Sequence, residues 1–226
     1  MNRYSIIIPI HNEVNSIPIL LDNLKDYNSE GHEIIVIDDG SNDGSTNILK
    51  NCRIINLISI EKNRGKGYAI RQGLKKVRND KVLIFDGDME IKPSEVSKLM
   101  ILDRKNNINF VMGTRFDSLN PLKSNFDWGN FMFTSFFNII FNKNHKDALC
   151  CAKAFYLDQI KNYRLKSNGF DIDIELTTII SIMSNKKKIP QLTINYNRRT
   201  IEEGKKLKVS DGWIILYRII KMIKYL

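Results

Sequence analysis

The chain has 226 residues, 42% of them hydrophobic, enough to bury the core of one large domain, which excludes a disordered chain. Thirty-five basic against 25 acidic residues leave a formal charge of +10, which suits nucleic acid, anionic lipid or a phosphorylated ligand. Nucleic acid is set aside, because the aromatic residues do not interleave with the basic runs as a base-stacking platform would.

Three cysteines, Cys52, Cys150 and Cys151, are odd in number and two are adjacent, so a disulfide framework is not expected and a reducing, cytoplasmic compartment is. No cleavable leader is expected, and no run reaches the roughly 18 to 20 apolar residues that span a bilayer. From Lys186 onward, eleven basic residues face only Glu202, Glu203 and Asp211. This tail is either a solvated basic surface or a face for anionic membrane or a diphosphate.

In chain order, Tyr4 to Ile10, Glu33 to Ile37, Arg53 to Ile58, Lys81 to Phe85 and Asn109 to Met112 read as strands. Their continuous β-branched runs fit parallel strands covered on both faces. Helical patterns fall between them: Ser16 to Tyr27, Ser45 to Asn51, Lys66 to Arg78 and Pro93 to Arg104. Beyond these, Phe126 to Phe141 and Phe170 to Ser184 read as helices, Ile189 to Tyr196 as a strand, and Trp213 to Leu226 as a helix with a basic stripe. Alternating strand and helix predict an open α/β sheet with right-handed crossovers. Ligands of such sheets bind beyond the carboxyl ends of the strands. The segments there are His11-Asn12-Glu13, Asp38-Asp39-Gly40-Ser41, Asp86-Gly87-Asp88 and Gly113-Thr114-Arg115.

Asp86 and Asp88, one small residue apart at a strand end, can share a hard cation with substrate phosphates, and Glu90 is a third candidate ligand. The same dipeptide chemistry also makes plain surface turns. Asp38 and Asp39 need partners at a buried strand end, and a ribose or base would serve; Ser41 or Asp43 also suit capping of the next helix. Asn63-Arg64-Gly65-Lys66-Gly67 opens a helix, where glycines let backbone amides approach a phosphate.

These segments, in this order, resemble family 2 glycosyltransferases of the GT-A fold, most closely the dolichol- or polyprenyl-phosphate mannose or glucose synthase branch. Later stretches agree: Asp147 with Ala148 to Phe155, Phe170 to Glu175, Pro190 to Tyr196 with Arg198, and Gly204-Lys205-Lys206-Leu207. The resemblance implies residues 1–210 as the transferase domain with an acceptor-side region, and residues 211–226 as an amphipathic helix in that domain or facing a membrane. It implies an inverting, metal-dependent hexosyltransferase using Mg²⁺ or Mn²⁺ and a GDP- or UDP-sugar, with a polyprenyl phosphate or a cell-surface glycan as acceptor. Peripheral contact at the cytoplasmic membrane face goes with that reading. By position, Pro9, His11 and Glu13 line the nucleotide pocket with Lys66. Asp38 and Asp39 hold base and ribose, Asp86 faces the sugar or metal, and Asp88 with Glu90 takes the cation. Arg115, Arg198 and Arg199 meet phosphate oxygens, where a bidentate guanidinium fits well. Where the branch more often has Asp-Ala-Asp, this chain has Gly87, and Cys150-Cys151 replaces a Ser/Thr-Gly pair.

A lipid phosphate is already anionic and needs no base, whereas a hydroxyl acceptor does; Asp147, Asp171, Asp173 and Glu175 are the candidates. Two rivals remain. The strand into Asp86-Gly87-Asp88 also resembles that of aspartyl-nucleophile, haloacid-dehalogenase-like phosphatases, and a non-catalytic nucleotide-sugar-binding protein would keep the pocket alone. The aromatic run from Phe126 to Phe141 fits either core or membrane surface.

Overall fold

The computed structural model describes residues 2–116, 125–185, 187–200, 204, 206 and 209–225. Lys186, Glu202, Glu203, Lys205, Leu207, Lys208 and Leu226, which enter the sequence reading, lie outside them, as does the side chain of Phe126.

Seven strands form one sheet: β1 (Tyr4–Ile10), β2 (Glu33–Asp39), β3 (Asn56–Ile60), β4 (Lys81–Ile84), β5 (Phe110–Thr114), β6 (Lys153–Tyr156) and β7 (Gln191–Thr193). Their spatial order is β3-β2-β1-β4-β6-β5-β7. All pairings are parallel except those of β6, which runs antiparallel to β4 and β5. Alternate residues of each central strand enter opposite cores, as the two-residue period requires. Ile6, Ile8, Val36 and Leu83 pack on one face, and Ile7, Ile35, Ile37, Val82 and Ile84 on the other.

The first core is covered by α1 (Ile17–Ser29) and α2 (Ser45–Lys50), together with α4 (Pro93–Val96). The second is covered by α3 (Lys66–Leu74), α5 (Asn125–Phe141), α7 (Ile172–Met183) and α8 (Val209–Met222), with the short α6 (Leu157–Ile160) beside it. From α8, Ile215, Ile219 and Met222 are buried in this second core, so the C-terminal helix is packed into the body of the protein.

Four expectations need correction. The helix expected from Pro93 to Arg104 is one turn plus a 3-10 segment, Ser97–Leu99. Asp103 instead pairs with Ile108 across a turn whose amides its side chain accepts, a local bond that competes with the helix. The helix expected to reach Arg78 stops at Leu74, and β3 begins three residues later than Arg53. The last strand shrinks to three residues, leaving Tyr196 in an isolated bridge to Ile91. β6 was not foreseen, since Lys153-Ala154-Phe155-Tyr156 is short and carries a lysine that is fully buried.

Chain direction explains how the site is gathered. β2 and β3 extend the sheet to one side of β1, and β4 continues it on the other, so order reverses between β1 and β4; open sheets bind ligands in the crevice beyond the carboxyl ends at such a reversal. Because β6 is antiparallel, the segment that precedes it, Asp147 to Ala152, arrives at the same edge. A parallel β6 would have sent it to the far side.

Candidate active site

The tip of β1 carries Pro9, His11 and Glu13, and the tip of β4 carries Asp86-Gly87-Asp88 beside it. Gly87 donates its amide to the Pro9 carbonyl (3.3 Å). A Cβ on Gly87 would stand 2.4 Å from Ile10 Cγ2 and 3.0 Å from Ile8 Cγ2. The smallest residue is thus what lets both carboxylates hang over the end of β1. Met89, at φ 63°, turns the chain so that Glu90 returns its amide to Asp88 Oδ1 (3.0 Å); left-handed backbone at a non-glycine residue is uncommon and concentrates at functional sites.

Lys66 opens α3 and donates to both Asp86 Oδ2 (2.8 Å) and Asp173 Oδ2 (2.7 Å). Burial opposes its charge, but Asp173 and Asp86 outweigh that and hold its pKa well above the ordinary value. Asp86 Oδ1 and Asp173 Oδ1 are buried with no hydrogen-bond partner. Burial, outweighing the nearby Lys66 and Lys153, raises the pKa of Asp173. Two carboxylate oxygens out of water and unmet are costly unless a ligand supplies hydroxyls or positive charge.

Gly65 makes this meeting feasible: its φ is 93°, and a Cβ there would lie 2.4 Å from the Asn168 carbonyl. The segment that leads into α7 therefore rests on the start of α3, and Tyr68 N donates to Asn168 O (3.2 Å). This revises the reading of Asn63 to Gly67 as a phosphate cradle. The amides of Arg64 and Gly65 donate to Asp39 (2.9 and 2.7 Å), and the glycines face protein backbone.

Asp38 and Asp39 likewise find partners inside the chain. Asp38 accepts from Ser41 and Thr46; with Asp39 it ties the β2 tip to the loops around it. His11 Nδ1 is buried without a partner.

Asp88 is pushed up to about 7, by burial first and then by the Asp86 and Glu90 carboxylates, against the pull of Arg199. Arg199 binds Glu13 through both terminal nitrogens (2.9 Å each) and approaches Asp88 Oδ2 to 3.7 Å. Lys206 also pairs with Glu13. Glu90, expected as a metal ligand, accepts from Tyr196 Oη (2.8 Å) and Arg199 N (2.9 Å), so both oxygens hold the chain after β7. Among the described residues no three acidic, histidine or cysteine side chains form a ready-made metal cage.

At the end of β5, Arg115 clasps Asp147 through Nε (2.7 Å) and Nη2 (2.9 Å). Burial works against both charges, yet the pair holds Arg115 well above and Asp147 below their ordinary values. Arg198 donates to Asp127 (2.6 Å). Glu175 accepts the amides of Lys166 (3.0 and 3.1 Å) and Ser167 (2.8 Å). Asp147 and Glu175, both candidate bases, are thus engaged by the protein, and Asp171 is held by Arg218 Nε (2.8 Å).

Cys150 and Cys151 sit between the two ion-pair centres. The interaction between their neighbouring thiols, with burial, holds Cys151 well above the usual thiol range, and the same interaction holds Cys150 below it against burial. The tertiary partners Lys66–Asp173 and Tyr196–Glu90 were absent from the sequence reading, since residues 107 and 106 positions apart give no local signal.

A carboxylate-lined crevice at the strand-order reversal defines a class, and solved structures share this fold. Glucosyl-3-phosphoglycerate synthase from Mycobacterium tuberculosis, in complex with Mn²⁺, UDP and glucosyl-3-phosphoglycerate, superposes with a TM-score of 0.72 at 16% identity, covering 98% of this chain and 80% of that one. Mannosyl-3-phosphoglycerate synthase from Rubrobacter xylanophilus gives 0.71 at 16% identity, covering 99% and 73%. The fold is GT-A.

Residues 5–168 match the model for Glycosyl transferase family 2, and the chain belongs to that family. It is similar to the undecaprenyl-phosphate 4-deoxy-4-formamido-L-arabinose transferase of Aeromonas hydrophila, 35% identical over 104 residues, 42% of this chain and 32% of the relative. The human dolichyl-phosphate beta-glucosyltransferase is 34% identical over 111 residues, 43% of this chain and 34% of the relative. Each match spans about a third of the relative. Glycosyltransferase AglJ of Haloferax volcanii aligns at 26% identity over 97% of this chain and 71% of its own length.

Proposed function

We propose that this protein transfers a sugar, with inversion, from a nucleotide-diphosphate sugar to a polyprenyl phosphate. The observation that carries the reading is the pair of buried, unpartnered oxygens on Asp86 and Asp173, joined by Lys66 and set beside Asp88. Sugar hydroxyls are donors that would satisfy them. The names of the polyprenyl- and dolichyl-phosphate relatives supply the acceptor class. The family match leaves the phosphatase alternative without support.

The residues fit a divalent cation. An unpartnered Asp86 oxygen and an Asp88 carboxyl raised by burial and then by its acidic neighbours leave carboxylate oxygens for a cation to meet, and Asp88 with Asp86 would hold Mg²⁺ or Mn²⁺ alongside the donor diphosphate. Such a cation, when bound, stabilises the charge that builds on the departing diphosphate. Arg115, Arg198 and Arg199, paired with Asp147, Asp127 and Glu13, would meet phosphate oxygens. Pro9, His11, Asp38 and Asp39 shape the nucleotide side. A phosphate acceptor needs no base. For a hydroxyl acceptor, Asp173 is the candidate that keeps a free oxygen, because Asp147 and Glu175 are spent on Arg115 and on backbone amides.

The acceptor side presents exposed apolar residues: Trp128, Phe131, Met132 and Ile139 of α5, and Trp213, Ile214, Tyr217 and Ile220 of α8. Gly212 lets the start of α8 lie on Phe133 of α5, so the two helices meet there. Lys221 and Lys224 extend it with positive charge. We assign this face to the surface of an anionic membrane, on its cytoplasmic side, in the manner of interfacial helices. No helix among the described residues is long and apolar enough to cross a membrane.

The test is a panel of UDP- and GDP-sugars with Mn²⁺ and a polyprenyl phosphate, read by mass spectrometry of the lipid. A glycosylated lipid with one donor supports the proposal. Donor turnover that ignores the lipid would remove the acceptor assignment, and no thermal stabilisation by any nucleotide with Mn²⁺ would remove the donor site.

A further inference from the structure

The segment from Tyr163 to Asp171 runs alongside α8 and leaves a groove. One stretch, about 290 Å³, is lined by Lys166, Asn168, Phe170, Asp171, Ile214 and Arg218, among others. The next, about 380 Å³, is lined by Arg71, Arg164, Leu165, Lys166 and Asn168. Lys166 and Asn168 border both, so the two hollows are neighbours along the loop, one against α8 and one beside Arg71 of α3.

Its backbone is fixed. Buried Glu175 accepts the Lys166 and Ser167 amides. Arg71, lying over the Tyr68 ring (5.6 Å), donates to Ser167 O and to Asn168 Oδ1 (2.6 Å). At the other end the Tyr163 ring packs edge-on against Tyr225, 6.3 Å between centroids.

The charge is unbalanced. Arg71, Arg164, Lys166 and Arg218 face Asp171 and Asp211, and Asp171 is already bound to Arg218. Arg164 and Lys166 are exposed and have no acidic partner among the described residues. One wall is apolar: Ile214 is 50% exposed and continues into the Trp213–Tyr217 face. At the inner end, the Phe170 ring lies 5.9 Å from Lys66 Nζ, the ammonium that bridges Asp86 and Asp173.

We propose that this groove seats the headgroup of an anionic membrane phospholipid, with Arg164 and Lys166 as its cationic ligands, and so fixes the orientation in which the donor crevice faces the bilayer. The inference rests on the membrane-facing assignment of α5 and α8. A fixed basic loop beside an apolar wall matches a phosphate at the headgroup level with acyl chains next to it, whereas the apolar helices by themselves do not distinguish one lipid from another.

The test is co-sedimentation of the full chain with phosphatidylcholine vesicles, with and without phosphatidylglycerol. Arg164→Gln/Lys166→Gln is expected to weaken binding to the anionic vesicles roughly 10- to 30-fold and leave binding to neutral ones unchanged. Lys25→Gln/Lys50→Gln, which removes the same charge from the α1–α2 side, is expected to change little. Trp213→Ala/Ile214→Ala should weaken both vesicle types alike. Equal losses in the two charge pairs would reduce the groove to bulk electrostatics and overturn the proposal. So would thermal stabilisation by inorganic phosphate that the groove pair abolishes, with unchanged vesicle binding, because the groove would then serve a soluble anion. If the unaltered protein ignores every vesicle while Mn²⁺ and nucleotide still stabilise it, the membrane assignment itself has failed and the donor site stands.

Discussion

The donor edge and the acceptor side of this protein are built on opposite terms. At the strand tips the buried cations are answered within the chain: Arg115 by Asp147, Arg199 by Glu13, Lys66 by Asp86 and Asp173. On α5 and α8 the reverse holds, and Trp213 (74% exposed) and Ile139 (79%) have nothing over them. Charged groups out of water need fixed partners before any ligand comes, so the donor edge is preorganised. Apolar surface needs only a medium to enter, so it can wait for its partner. Catalysis and attachment are therefore separable by mutation.

The largest expected effect is on the donor edge. Asp88→Ala should lower transfer by on the order of 10²- to 10³-fold or more, with the melting temperature kept, since the change also relieves repulsion from Asp86 and Glu90. Turnover within a few-fold of the parent would break the assignment. Arg115→Ala leaves Asp147 charged and unpaired in the interior, and should cost about 3–5 kcal/mol in urea unfolding.

Gly87→Ala crowds Ile8 and Ile10, with an expected loss of about 1–3 kcal/mol. An undiminished stability would mean that the β1 tip yields easily. Proton competition comes next. With Asp88 raised to about 7, metal binding must expel its proton, so Mn²⁺ affinity measured by calorimetry should fall roughly tenfold from pH 8 to pH 6. The sign follows from the ligand being the carboxylate, which the higher pH favours. Smallest is Tyr217→Ser on the acceptor side: a stability change within about 0.5 kcal/mol, because the ring is 58% exposed, alongside weaker vesicle binding.

Much of the donor edge was legible because strand ends carry their chemistry locally. Asp86 and Asp88 follow a β-branched run, and a sheet of this class presents such tips on one edge. The Asn63–Gly67 segment was misread because Gly-x-Gly reports only that backbone passes close. Whether a phosphate or the Asn168 carbonyl is what comes close depends on a residue about a hundred positions away. Glu175 was read as a possible base from its neighbourhood, yet it holds down the basic loop at Lys166 and Ser167. Glu90 was read as a metal ligand from its spacing, and it anchors Tyr196 and Arg199.

From residue order alone come the open α/β sheet, the strand tips that carry carboxylates, and the amphipathic tail, because hydrophobic period and turn chemistry act over a few residues. Tertiary structure decided the antiparallel insertion of β6, which delivers Asp147 to the crevice, and the choice of partner for each carboxylate. Those outcomes depend on which distant segments share the low-dielectric interior, where an unmatched charge is expensive and a matched one is held fast.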